Sequence, residues 1–150
     1  MTPEDFLDKV VTENVVRLCD NRGSLRHAVN ALFVLDAFAG ILFASVKGTD
    51  HAPCTTDAEF REILARECSE FCIVRDAAFS LKHGELSRGR TPRLVRKAAQ
   101  VQEHGGGSND PNAIEPVVWI EAEEPMEPIA VDVLAHATLT FFQGLPARYA

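Results

Sequence analysis

No stretch of this chain reaches the roughly 18 consecutive apolar residues that argue for a membrane span. The most apolar run, Ala31 to Val46, is interrupted by Asp36 and Gly40 and reads as a buried helix. Positive charge is missing from the start, Met1-Thr2-Pro3-Glu4-Asp5, so the pattern of a secretory signal is absent and a soluble, cytoplasmic protein is expected. Cysteine is scarce. Cys19, Cys54, Cys68 and Cys72 are too few and too scattered for a disulfide-stapled mini-protein, and free thiols acting as small hydrophobes are expected. Cys68 and Cys72 lie one helical turn apart, and His51 and Cys54 precede the same helix. Neither pair has the usual two-residue cysteine spacing, so no metal site is expected. The run Gly105-Gly106-Gly107-Ser108 lacks the following Lys and helix start of a phosphate-cradling loop, and reads as a linker. No cofactor is expected.

What is present is ordinary globular composition. The 150 residues are 46% apolar and 25% charged, enough for one domain with a real core. A net charge of −7 argues against indiscriminate coating of nucleic acid, which rests on phosphate neutralisation. The distribution is uneven, however. Lys82, Arg88, Arg90, Arg93, Arg96 and Lys97 stand against Glu85 alone, so the 82–97 window is +5 and the remainder −12. Such asymmetry suggests either a local contact with an anion or a basic loop paired with the acidic C-terminal third.

Helical signals dominate. Thr2 as N-cap, Pro3 at the first position and acids in the first turn announce a first helix, with Phe6, Leu7, Val10, Val11, Asn14 and Leu18 along one stripe. Asn21-Arg22-Gly23 stops it. Ser24 caps a second helix that runs to about Val46. Thr56-Asp57-Ala58-Glu59 has the form of a capping box and predicts a third helix of about 27 residues to His83, closed by Gly84. A basic loop follows over Ser87 to Pro92, and Leu94 to Gln102 is left open between strand and helix. Glu103 to Asn112 reads as a flexible connection, and Val117 to Glu121 as β-prone. A last helix spans about Asp132 to Gln143, stopped by Gly144 and Pro146. The expected architecture is one mainly α domain, an antiparallel four-helix bundle with a small β excursion before the C-terminal helix.

Chemistry is sought where the helical pattern is broken. Taking Phe71 as the centre of the third helix's apolar stripe, Arg75 lies about 40° and Lys82 about 20° from it. Asp36 breaks the second helix's stripe in the same way. Unpaired buried charges are costly, so Asp36 is expected to meet Arg75, or else Lys82, across the bundle. That contact is either a structural ion pair or the floor of a wet site between helices. Cys72, Asp76, Phe79 and His83 form a second line beside the stripe. His83 could serve as general acid or base, with Asp76 orienting it and Arg75 stabilising a phosphorane charge. A helix-end His⁺ favoured by the dipole is the plain alternative.

The run Phe71-Cys72-Ile73-Val74-Arg75-Asp76-Ala77-Ala78-Phe79-Ser80-Leu81-Lys82-His83 resembles the motif helix of HEPN-like proteins, small and often of bacterial or prophage origin. Similar members read Arg-Asp-x-Ala-Asn-x-x-Lys-His; here Phe79 stands at the Asn position. Asp36 matches the polar residue those proteins place in the preceding apolar helix. The resemblance implies an all-α bundle, often dimeric, whose Arg and His face a cleft. Active members cleave RNA without a metal, in toxin–antitoxin or phage-defence systems. It therefore implies Arg75, His83 and Asp76 as catalytic residues, and a homodimer with an antitoxin-like protein partner. Together with the charge pattern, it points to Lys82, Arg88, Arg90 and Arg93 as contacts for RNA or a nucleotide. The competing expectation is a non-enzymatic accessory protein whose bundle serves dimerisation or partner binding.

Overall fold

A computed structural model describes residues 1–85, 93–105, 115–123 and 126–149. The first helical stretch is continuous but changes character along its length: α1 (Pro3–Phe6), a π-helical segment (Leu7–Thr12) and α2 (Glu13–Asp20). The plain helix expected there is widened where three β-branched residues, Val10, Val11 and Thr12, follow one another and crowd the preceding turn. Thr12 Oγ1 donates to the Leu7 carbonyl five residues back, at 2.9 Å. At the start, the Thr2 hydroxyl accepts from Asp5 N at 3.1 Å, as its capping role requires.

Helix α3 (Leu25–Val46) is the central element. Ser24 caps it, and ten of its side chains are buried, from Ala28 to Val46. It packs against α2 and against the later helices Asp57–Glu67, Ser69–His83 and Val131–Gln143. By length and composition it could cross a membrane, but Asp36 at its middle is held by two cations from the protein's own helices. It is the core helix of this fold.

The single long third helix is a misreading that the structure corrects. Two helices stand there, α4 (Asp57–Glu67) and α5 (Ser69–His83), separated by Cys68 in extended conformation (φ −136°, ψ 106°). Cys68 N–H closes α4 on the Leu64 carbonyl (2.9 Å), and its Sγ accepts from Phe71 N (3.4 Å) to cap α5. Without Gly or Pro at the junction, the break leaves no local signal.

Residues 98–100 form a 3₁₀ turn leading into β1 (Val101–His104), which pairs antiparallel with β2 (Val117–Ile120); β3 (Ile129–Ala130) pairs on the other side of β2. The ambiguous 94–102 segment is thus turn and then strand. The connection expected over 103–112 begins later, since Glu103 and His104 belong to β1, and 106–112 lie outside the described residues. The sheet is tied to the helices where Val118 N donates to the Arg22 carbonyl (3.0 Å). Gly23 is required at this crossing, because a Cβ there would stand 2.6 Å from Pro116 Cβ.

Helix α6 (Val131–Gln143) brings Phe142 against Phe38 (4.8 Å between ring centroids) and Phe71 (5.1 Å), joining α3, α5 and α6 in one core. A short α7 (Leu145–Arg148) follows where a stop was expected, because Pro146 sits in its first turn, where its missing N–H costs nothing.

Candidate functional site

The charges buried among the helices form two clusters, each centred on a carboxylate. In the first, Asp36 lies almost fully buried in the middle of α3. Lys82 Nζ from α5 donates to its Oδ2 at 2.9 Å. Arg61 from α4 donates through Nη1 to Oδ1, and also to the Asp36 backbone carbonyl at 2.6 Å. Arg61 Nε is held in turn by Asp57 at 2.9 Å. Gly40, one turn beyond Asp36, makes this approach possible, since a Cβ there would lie 2.8 Å from Arg61 Nη2.

Of the two partners expected for Asp36, Lys82 is the one found, and Arg75 is not. Both expected cations lie on α5, but Arg75 is engaged by Asp76 beside it, and Arg61 on α4 takes the remaining place at Asp36. Arg61 is the residue that sequence reasoning missed. Its signal was the spacing Asp36-x-x-x-Gly40, a buried acid followed by an opening one turn away.

Arg75 belongs to the second cluster. It is 1% exposed, and Asp76 beside it is 0% exposed. Arg75 Nε donates to Asp76 Oδ1 at 2.9 Å, with Nη2 at the same distance from that oxygen. Arg93 Nη1 donates to Oδ1 as well (2.9 Å), and the backbone N–H of Leu94 fills Oδ2 (2.7 Å). Glu62 Oε1 lies 3.0 Å from Arg75 Nη1, but off the line of a hydrogen bond, so that nitrogen has no bonded partner among the described residues. Burial works against the charge on Arg75, yet the Asp76 and Glu62 carboxylates hold its pKa above the ordinary arginine value. Burial likewise pushes the neighbouring Cys72 thiol up, against the pull of Arg75.

Phe79 joins the two clusters. Arg93 (5.6 Å), Lys82 (5.7 Å) and Arg61 (6.0 Å) surround its ring centroid. An aromatic face attracts cations at such distances, which gives an apolar residue a role in the middle of the motif.

His83 stands apart. It is the last residue of α5, exposed, followed by Gly84 at φ +78°. Its imidazole has no hydrogen-bond partner among the described residues. It stands eight positions beyond Arg75, about 12 Å along the axis and about 80° around it. The structure therefore brings Arg75, Asp76 and Arg93 together, and Asp36 with Lys82, but not Arg75 with His83. Arg88 and Arg90 lie outside the described residues.

The second cluster also pins the start of the post-helical chain. Asp76 grips Arg93 and Leu94, the Ala98 N–H donates to the Gly84 carbonyl at 2.8 Å, and Glu85 bridges Lys97. The ends of the basic segment are thereby fixed to α5. Beside Glu62 and Arg93 opens a groove of about 480 Å³ that Glu59 and Arg66 also line. The four cysteines are free, and no three His, Cys, Asp or Glu side chains converge as metal ligands among the described residues. Comparison with protein-family models, curated proteins and solved structures finds no match to this chain, so its function rests on the geometry of these two clusters.

Proposed function

We propose that this chain is a HEPN-like four-helix bundle that binds an anionic ligand, RNA or a nucleotide, without cleaving it. In this reading Arg75 and Asp76 are scaffold. They hold the basic segment against α5, and the working surface is the cationic end of that helix: Lys82, His83, Arg93, Arg96 and Lys97, with Arg88 and Arg90 between them in sequence. The observation that carries the reading is the state of Arg75. A catalytic guanidinium must reach the phosphate it stabilises, whereas this one is 1% exposed and engaged by Asp76. The only histidine of the motif lies at the exposed helix end, where a cation is favoured by the helix dipole.

The test is binding of a labelled single-stranded RNA across a salt series, alongside a cleavage assay in EDTA. Three to four phosphate contacts are expected to give a slope of log affinity against log salt of about −2 to −3. Lys97→Glu is expected to weaken binding about tenfold and to make the slope shallower. The RNA is expected to stay intact. Cleavage that disappears in His83→Ala would restore the metal-independent ribonuclease reading; affinity independent of salt would remove the anionic ligand.

A second reading is homodimerisation, or docking of a protein partner such as an antitoxin. It is favoured by exposed apolar side chains at Val16, Leu25 and Val133, on elements joined by the Arg22–Asp132 pair at 2.7 Å. On that reading Val133→Asp shifts the protein to monomer in sedimentation over a concentration series, and an unchanged mass removes this face from the interface.

A further inference from the structure

On the solvent face of the sheet, away from both charged clusters, lies a notch of about 360 Å³ lined by Gln102, Trp119, Glu121, Glu127 and Pro128. Its position follows from the strand register. Val101 and Ile120 pair on the core face and are buried, so Gln102 and Trp119, the next pair, face outward. Trp119 is partly exposed, and Glu121, Glu127, Gln102 and Pro128 are exposed around it. Among the described residues neither Glu121 nor Glu127 has an ion-pair partner. Among the described residues no cation sits over the indole either, although cations crowd Phe79.

We propose that this notch receives a lysine or arginine side chain from a basic segment of a partner polypeptide. The lining fits that chemistry and little else. An indole is the strongest aromatic partner for a cation, and the apolar stem of Lys or Arg covers ring and proline while its head reaches carboxylate. Two carboxylates and one amide line the notch, and among the described residues no basic group joins them to repel the occupant. The size suits one long side chain rather than a helix. Residues 98–150 carry eight acids against Arg148 alone, a net −7, which steers a cationic partner toward this part of the chain. The inference does not depend on the anionic ligand proposed for the end of α5.

Trp119 is the only tryptophan of the chain, so its emission reports occupancy directly. The full chain is titrated at constant ionic strength with capped Gly-Lys-Lys-Gly, Gly-Arg-Arg-Gly and Gly-Gln-Gln-Gly. Saturable emission changes are expected with the two basic peptides and none with the glutamine peptide. The double variant Glu121→Gln/Glu127→Gln is expected to bind about fivefold more weakly, as for two partly exposed ion pairs. That variant should fold normally, because Glu121 meets Gln100 only through its backbone, and circular dichroism checks this. A flat emission, or an identical titration in the double variant, overturns the proposal. Emission that moves with protein concentration in the absence of peptide also overturns it, and assigns the notch to a second copy of the chain.

Discussion

Asp76→Ala is expected to lower the unfolding free energy by about 3–5 kcal/mol, the usual cost of breaking a buried ion pair from one side. Arg75, 1% exposed, would keep only the weak acceptor Cys72 Sγ at 3.6 Å and the poorly aligned Glu62. The Leu94 N–H would lose its acceptor and Arg93 its anchor. For a chain of this size the loss corresponds to a fall in Tm of roughly 10–15 °C, read by thermal unfolding followed by circular dichroism. Asp76→Asn keeps the shape and one acceptor, and should cost less. Hydrogen exchange gives a second readout, because the Leu94 amide should lose protection in Asp76→Ala before the core helices do. A change under about 0.5 kcal/mol, the range of ordinary surface substitutions, would mean that the cluster is not scaffold. Arg75 would then become free to be read as a functional group.

Asp36→Ala is expected to cost less, about 2–4 kcal/mol. Three features separate it from Asp76. Lys82 is 42% exposed and can turn its ammonium back into water. Arg61 retains Asp57 and the Asp36 carbonyl as acceptors. Alanine in the middle of α3 also recovers roughly 0.5 kcal/mol of helix propensity relative to aspartate. What remains is the loss of the contact that joins α3 to α4 and α5 at once. Replacing Asp36 by Leu together with Arg61 by Met should recover most of that loss, since a buried ion pair exchanged whole for apolar groups is often neutral. Chemical denaturation measures both variants. A double variant as unstable as Asp36→Ala would show that the pair contributes through its geometry rather than by avoiding a stranded charge.

The two acids do different work despite the same residue type. Asp36 fastens three helices to one another across the core. Asp76 fastens α5 to the chain that follows it. Together with Phe79 they make the Arg75–His83 helix the hub of the molecule, whose residues are largely engaged by the protein itself. Lys82 and His83, at the end of that helix, are the members of the motif that reach solvent, and His83 has no partner among the described residues.

Local chemistry was legible from the residues alone. The caps at Thr2, Ser24 and Thr56 each accept the backbone N–H that their position demands, because capping depends only on a few neighbouring residues. The apolar stripe of α3, the strand at Val117–Ile120 and the helix ending at Gln143 follow from periodicity and β-propensity in the same way. That Asp36 must be paired was also evident, since a lone charge in an apolar run is costly in any fold. The identity of its partners was not. Lys82 and Arg75 both stand on α5, and only Lys82 reaches Asp36; the second partner, Arg61, comes from α4, which Cys68 parts from α5 without a Gly or Pro to mark it. Arg75 turns to Asp76, Glu62 and Cys72, while Asp76 holds Leu94, 18 residues further on. Helical spacing gives a residue's angle on its own helix but not which neighbouring element it faces, so which charges meet across the core was decided by tertiary packing.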